Sequence, residues 1–446
     1  MSNLPYDVTS PESLRNYAKL LIGRSLEEAV GKYELDDASN KGKLGTLVEE
    51  HFYRYQPNNN SNHEPDFAEA GVELKVTGVV PSDASVTGYK AKERLVLTMI
   101  HYFGLADEVW EESSFLKKCR LMLILFYLYQ KEVVATQRKF VMSPVLWKFP
   151  DADLEIIRKD WLAIQQKILD GKAHELSEGD TFYLAACRKG SGGIKERLKR
   201  QPFSDELAKS RAFSLKPSYV NTIIDASWND YELVKTGMDA AKGLEALTLE
   251  KFDGLTGLSY EEIAHIYNYQ VPPIKPKGYF ASLSLRILGT KKKWLPEFVK
   301  ADITMKTIRL DKNGTPKEGI SFPTFNFIDT VNQKWEDSVF YEKINQKFFF
   351  VIFKYDTEGV LRFEKCMFWN MPYVDRLEAK KVWERTNEVI NANELKKLPK
   401  ISDNHVAHVR PHGRNKLDTL PLPGGGSFTK QCFWLNPQYI KEQFKS

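Results

Sequence analysis

The chain has 446 residues, 42% of them hydrophobic and 12% aromatic, with a formal net charge of +5 at pH 7. That length gives enough core for two or three independently folding domains, and the composition is that of an ordinary globular protein. No stretch has the length and apolarity of a membrane-crossing helix, the start Met1–Asp7 lacks the pattern of a secretory leader, and so mild a positive charge permits a nucleic-acid partner without demanding one.

Ser10 reads as an N-cap with Pro11 at the first helical position. Leu14, Tyr17, Leu20 and Leu21 follow at helical spacing, so residues 10–30 are expected to be helical. A second helix begins near Lys41. Leu44, Leu47, Val48 and Phe52 form its buried stripe and leave Glu49 near the stripe's edge. The polar run Pro57–Asn62 then leads into Asp66.

From Gly71 the period changes to two. Val72, Leu74 and Val76 alternate with Glu73, Lys75 and Thr77, which predicts a half-buried strand with the apolar set on the core side. Glu73 and Lys75 share the other face, roughly 6–7 Å apart. Asp66 stands seven residues before Glu73, just after a proline, where a loop can fold it back alongside. Two carboxylates and a lysine then converge. Carboxylate oxygens suit a hard cation such as Mg²⁺, and the lysine can help activate an attacking water and offset charge on a scissile phosphate. Glu-x-Lys is also a common surface ion pair, so the pattern takes its weight from its surroundings.

The Asp…Glu-x-Lys arrangement is the metal-site pattern of the PD-(D/E)xK nucleases, and its surroundings resemble one family of them. Lys41-Gly42-x-x-Gly45-x-x-x-Glu49, the polar loop, Pro65-Asp66-Phe67 and Gly71-Val72-Glu73-Leu74-Lys75 are similar to the active-site sequence of the MutH family. That family comprises the mismatch-repair nicking endonuclease MutH and related Type II restriction enzymes that cut at GATC. The resemblance implies a catalytic set of Lys41, Glu49, Asp66, Glu73 and Lys75. Asp66 and Glu73 would ligate Mg²⁺, Lys75 would orient and activate the water, Glu49 would support the metal or its water shell, and Lys41 would contact DNA or the developing charge.

The resemblance continues along the chain. Lys92–Leu97 is similar to the restriction-enzyme branch. Lys118 matches a lysine the family uses near the DNA phosphate, with Lys117 as the competing register. The apolar run Leu121–Leu128 reads as a buried central strand. Ser143–Trp147 and the helix after it, from about Asp151 to Gly171, also resemble MutH. Glu178–Leu184 resembles the last strand of the catalytic module, where Tyr183 matches a functional tyrosine near DNA or is a core tyrosine. His174 is expected to be structural or to touch the DNA backbone. Base-reading side chains are expected in the loops around Thr136–Trp147 and 184–200.

Residues 188–216 carry nine Lys and Arg against three acids, a local net of +6. Within that run Arg188, Lys189, Lys195, Arg197, Lys199 and Arg200 are expected to clamp DNA phosphates. Four cysteines, Cys119, Cys187, Cys366 and Cys432, lie far apart with no Cys-x-x-Cys. They read as reduced thiols of a cytoplasmic protein.

The second half copies the first. Lys277–Leu285 lies over Lys41–Glu49, and Glu297–Lys306 over Asp66–Lys75 without a gap. Lys347–Phe353 mirrors Arg120–Phe126, and Asn370-Met371-Pro372 mirrors the Ser143-Pro144 region. Leu285 stands at the place of Glu49 and Thr304 at that of Glu73, so the copy has lost its chemistry. Arg410, His412 and Arg414, in a stretch with His405 and His408, are expected to face DNA; a zinc site there lacks cysteine or acid partners.

The sequence therefore predicts an α/β protein of two MutH-like, PD-(D/E)xK domains, each a mixed sheet flanked by helices. The expected boundaries are a catalytic domain at 1–215, a helical connector at 216–271 and a non-catalytic DNA-binding domain at 272–446. The resemblance implies a Type II, more narrowly Type IIE, endonuclease making Mg²⁺-dependent double-strand cuts at GATC as a dimer on DNA, the second domain acting as an allosteric effector. A MutH-type nicking enzyme and a non-catalytic DNA-binding protein are the alternatives.

Overall fold

The computed structural model describes residues 4–31, 42–55, 64–189, 198–228, 243–276, 278–291, 295–317 and 319–445. Lys41, Lys195 and Arg197 lie outside the described residues. The chain forms two compact units, one of residues 1–244 with 299–302 and one of 245–298 with 303–446. The stretch expected as a connector is divided: the helix Pro217–Trp228 belongs to the first unit, the helices Leu244–Glu250 and Tyr260–Ile266 essentially to the second. Among the described residues no helix is long and apolar enough to cross a membrane.

The first unit is built on a mixed sheet in the order β2-β1-β4-β5, with β1 Glu73–Pro81, β2 Tyr89–Ala91, β4 Met122–Leu128 and β5 Val145–Trp147. β1 and β4 run parallel with Glu73 opposite Met122, and the outer pairs are antiparallel. A second sheet has the order β3-β9-β6, from β3 Leu95–Met99, β6 Leu184–Arg188 and β9 Arg211–Leu215. Between β6 and β9 lies a hairpin of β7 Leu198–Gln201 and β8 Ser204–Lys209.

The apolar run 121–128 is indeed a strand buried along almost its whole length, because it is central and parallel and both its faces are covered. β1 differs from expectation for the same reason. Its solvent face is covered too, leaving Glu73 1% exposed. The helix expected over 10–30 breaks at Gly23, whose φ of +77° suits glycine. Pro11–Ala18 precedes the break and Leu26–Val30 follows it, capped by Ser25 and Glu28. The strand expected from Glu178 starts only at Leu184, because Asp180 turns back to cap Ser177.

The second unit repeats this plan. β10 Thr304–Leu310 lies parallel to β12 Phe348–Tyr355, and β13 Leu361–Trp369 is antiparallel to β12. Phe348, Phe350 and Ile352 enter one core and Phe349, Val351 and Phe353 the other, as the two-residue period of a strand covered on both faces requires. β11 Ile320–Thr324, β14 Ala407–Pro411 and β17 Gln431–Leu435 form the second sheet in the order β11-β17-β14, and β15 Thr419–Pro421 pairs with β16 Ser427–Thr429 as the hairpin.

The strand registers refine the alignment of the halves. Thr304 faces Phe348 as Glu73 faces Met122, which puts Phe348, not Phe349, over Met122. Helices Asp151–Leu169 and Tyr373–Asn391 each have 19 residues and start after Pro150 and Pro372. Pro372 thus mirrors Pro150 rather than Pro144. Trp110 meets Trp161 with centroids 5.7 Å apart, and Trp335 meets Trp383 at 5.6 Å.

Candidate active site

A short turn brings Asp66 to β1. Phe67 and Val72 exchange backbone hydrogen bonds of 2.9 and 3.1 Å, and Gly71 closes the turn at φ +65°. An added Cβ at Gly71 would meet nothing within 4 Å, so the demand for glycine is conformational. Once closed, the turn locks two acids together: the Leu74 N–H donates to Asp66 Oδ2 at 2.9 Å, and the Asp66 N–H donates to Glu73 Oε2 at 3.2 Å.

On β1 the two-residue period sets Lys75 beside Glu73. Lys75 Nζ donates to Glu73 Oε1 at 2.5 Å and to the Leu97 carbonyl of β3 at 2.9 Å. Lys118 Nζ lies 3.5 Å from the same Glu73 oxygen. Lys118 comes from the helix Ser114–Cys119, whose start is fixed by Ser113 accepting from the Leu116 N–H. Lys118 thus reaches the acids, while Lys117 lines a separate hollow with Lys148 and Asp151.

Glu49 approaches on a widened π-helical turn, Val48–Phe52, that continues the helix Gly42–Leu47. Such turns often sit at functional sites. An aromatic cluster clamps it: Phe52 stacks on Tyr17 at 4.6 Å, and Tyr53 meets Phe67, next to Asp66, edge-on at 4.9 Å. Each such contact adds about 0.5–1.5 kcal/mol beyond area burial. Glu49 is 7% exposed, and its Oε1 has no hydrogen-bond partner among the described residues.

Burial first, and then the charges of Asp66 and Glu73, push the Glu49 carboxyl up to about 8. Burial also raises Glu73, against the opposing pull of Lys75. At Lys75 burial works against the charge, but Glu73 and Asp66 outweigh it and hold the ammonium above its ordinary value. Crowded carboxylates and one orphaned oxygen form a site that favours a cation. Among the described residues no three His, Cys, Asp or Glu gather as a complete metal cage. The carboxylate oxygens of Asp66 and Glu73, held together by the turn, are the donor type that suits a hard, partly hydrated cation.

A cleft of about 290 Å³ opens beside Glu73, Lys75 and Lys118, and His101, Ser114 and Lys189 line its rim. Lys189 belongs to the basic run expected to clamp DNA phosphates. His101 and Ser114 were not; they lie at the end of β3 and the start of the helix after it, and no motif marks them.

The basic run divides. Arg188 ends β6 and Lys199 and Arg200 sit on β7. Arg211 and Lys216 are 5% and 3% exposed. Arg211 donates to the carbonyls of Ala186 and Leu176, and Lys216 to that of Thr181. Those two cations tie backbone together and cannot grip phosphate. Tyr183 is 1% exposed and packs on Tyr219, so the expectation that it faces DNA is corrected to a core role. His174 bonds Gln201 at 3.0 Å, a structural contact.

In the second unit Arg410 lies 4.8 Å over the Trp434 ring and His412 meets the same ring at 5.6 Å. Both are exposed, as is Arg414, whose N–H donates to Asp418. His408 is buried against Asn436. The histidines thus diverge.

The family model described as "DNA mismatch repair enzyme MutH" matches residues 55–160 and 289–376, once in each half. The Type II restriction enzyme Sau3AI of Staphylococcus aureus is 33% identical over 97% of this chain and 98% of its own. The chain belongs to the Sau3AI family of Type II restriction enzymes. Mismatch-repair MutH proteins of Shewanella woodyi and Serratia proteamaculans match at 23% and 26%, but over only 51% and 50% of this chain and 96% of theirs. The mismatch-repair relatives thus span about half of this chain, and membership in the Sau3AI family makes it a restriction endonuclease.

Proposed function

We propose that the chain makes Mg²⁺-dependent double-strand cuts in DNA at a short site, GATC by the family resemblance. The carrying observation is the convergence of Asp66, Glu73, Lys75 and Lys118 within hydrogen-bonding and ion-pair reach, with Glu49 in their electrostatic field. Asp66 and Glu73 hold the cation and Glu49 supports it or its waters. When bound, Mg²⁺ supplies charge to polarise the scissile phosphate and lower the pKa of an attacking water. Lys75, pinned between Glu73 and Leu97, orients that water and receives charge developing on the phosphate. Lys118 and Lys189 draw the DNA backbone into the cleft, and Lys41, by the family resemblance, contacts DNA or the developing charge.

One chain carries one such site, so cutting both strands calls for two chains on DNA. The second unit acts as a DNA-binding effector through Arg410, His412 and Arg414. The reduced cysteines accord with a cytoplasmic enzyme. Digestion of plasmid with mapped GATC sites, with and without Mg²⁺, followed by sequencing of the ends, tests the reading. Linear fragments ending at GATC are expected. Nicked circles alone would favour a repair-type nickase, and cutting that survives Asp66→Ala or Lys75→Ala would overturn the assignment.

A further inference from the structure

The second unit repeats the first unit's turn and parallel strand pair with two of the three acids replaced. In the first unit Glu49, Asp66 and Glu73 share a field with Lys75 and Lys118. In the second, Leu285 and Thr304 stand where two of the acids stood. The turn before the strand is preserved, with Asp302 at φ +53° in the place of Gly71. Lys306 keeps the place of Lys75, opposite Phe350 of β12 as Lys75 is opposite Ile124 of β4.

Their surroundings differ. Lys75 has a carboxylate and a carbonyl. Lys306 makes no hydrogen bond or ion pair among the described residues. Thr304 turns its hydroxyl to Gln346, 3.3 Å away. Glu297, at the place of Asp66, is 8% exposed on the helix Pro296–Lys300. Burial alone acts on Lys306, lowering it from its ordinary value, with no carboxylate charge to oppose that. A half-buried ammonium without a counter-ion is costly, and the matching relief is an anion.

We propose that Lys306 is the centre of a phosphate site in the second unit that takes a DNA backbone phosphate directly, without a divalent cation. This rests on the reading of the second unit as a DNA-binding module. The first cleft gathers acids that repel phosphate until a cation bridges them. The second lacks two of the three, and the one retained, Glu297, makes no ion pair with Lys306 among the described residues, so a phosphate meets an ammonium that no carboxylate answers. DNA binding by the second unit is then independent of metal, while engagement of the first requires it.

The test uses the full chain and a labelled GATC duplex, with binding followed by anisotropy in EDTA over a range of salt. Wild type is expected to bind. Lys306→Met is expected to bind about tenfold more weakly at ~0.1 M salt, with the log–log salt slope reduced by about one, as loss of one phosphate contact requires. Its melting temperature should not fall, and Lys306→Arg should keep most of the affinity. Wild-type affinity and slope in Lys306→Met, alongside weakened binding by Arg410→Ala/Arg414→Ala, would sink the Lys306 site and leave the module standing. Unchanged EDTA binding in both variants would sink the module reading as well. Weakening that merely tracks a lowered melting temperature would make Lys306 structural and also overturn the proposal.

Discussion

Replacing Lys75 by methionine keeps the apolar stem and removes the charge. Glu73, 1% exposed, would then face only the more distant Lys118. Breaking one side of a buried pair costs about 3–5 kcal/mol, whereas removing both partners is often neutral. Glu73 can escape part of that cost by taking a proton, so about 3 kcal/mol is expected near pH 8. The folded-state pKa of Glu73 is already raised by burial, and loss of Lys75 raises it further. A raised carboxyl contributes fully below its unfolded value, and that stability is lost as pH rises through the folded value. The defect should therefore be small near pH 5 and full near pH 8. For a unit of roughly 250 residues, about 2–4 °C per kcal/mol gives a drop of about 6–12 °C. Scanning calorimetry in EDTA resolves the transitions of the units. Glu73→Gln/Lys75→Met should recover to within about 1 kcal/mol of wild type while remaining inactive. A single variant that melts like wild type near pH 8, or a double variant no better than the single, would refute a buried, mutually dependent pair.

Other consequences follow from individual side chains. Glu49→Gln should melt no lower than wild type in EDTA, since its Oε1 has no partner to lose, yet cut about 10–100-fold more slowly in Mg²⁺, a supporting-ligand effect; equal cutting would remove Glu49 from the site. Asp160 accepts the N–H groups of Phe182, Tyr183 and Leu184, yet burial raises it to about 6. Its folded value exceeds the unfolded one, so stability falls by about 3 kcal/mol as pH rises from about 4 to about 6. Urea midpoints should show that decline in wild type and a smaller one in Asp160→Asn. Arg211→Ala should lose about 2–4 kcal/mol of stability through two orphaned carbonyl contacts. Lys199→Ala/Arg200→Ala should instead keep the melting temperature and weaken DNA binding with a shallower salt slope.

The two basic variants show where sequence reading reached its limit. Charge count puts Arg211 and Lys216 in the same basic run as Lys199 and Arg200, because one-dimensional charge cannot tell a solvated cation from one bonded to buried carbonyls. Tyr183 was open in the same way: a phenol can serve DNA or core, and its burial against Tyr219 sets it in the core. The Asp66–Glu73–Lys75 grouping was legible because its cause is local. A two-residue period sets Glu73 beside Lys75, and a glycine-closed turn returns Asp66 to the strand. Lys118 needed the parallel β1–β4 pairing to choose it over Lys117, and His101 and Ser114 needed the cleft.

Comparison of the halves separates what builds the scaffold from the acids proposed to do the chemistry. The retained features are mechanical: a left-handed residue before the strand, a serine cap before the short helix at both Ser113 and Ser338, a proline before each long helix, and a tryptophan pair beneath it. The lost features are Glu49 and Glu73, side chains whose burial destabilises the fold that carries them. Burying a carboxylate is tolerated only where something answers its charge. In the first unit Lys75 answers Glu73, and Glu49 still has one oxygen unanswered. In the second unit leucine and threonine relieve that cost and leave the sheet register intact. Mutual substitution tests this directly. Leu285→Glu with Thr304→Glu should destabilise the second unit, most strongly at high pH, because only the carboxylate at 304 would gain a lysine two residues along. Unchanged melting near pH 8 would mean that the acids of the first unit carry no stability cost and that their loss in the second needs another cause.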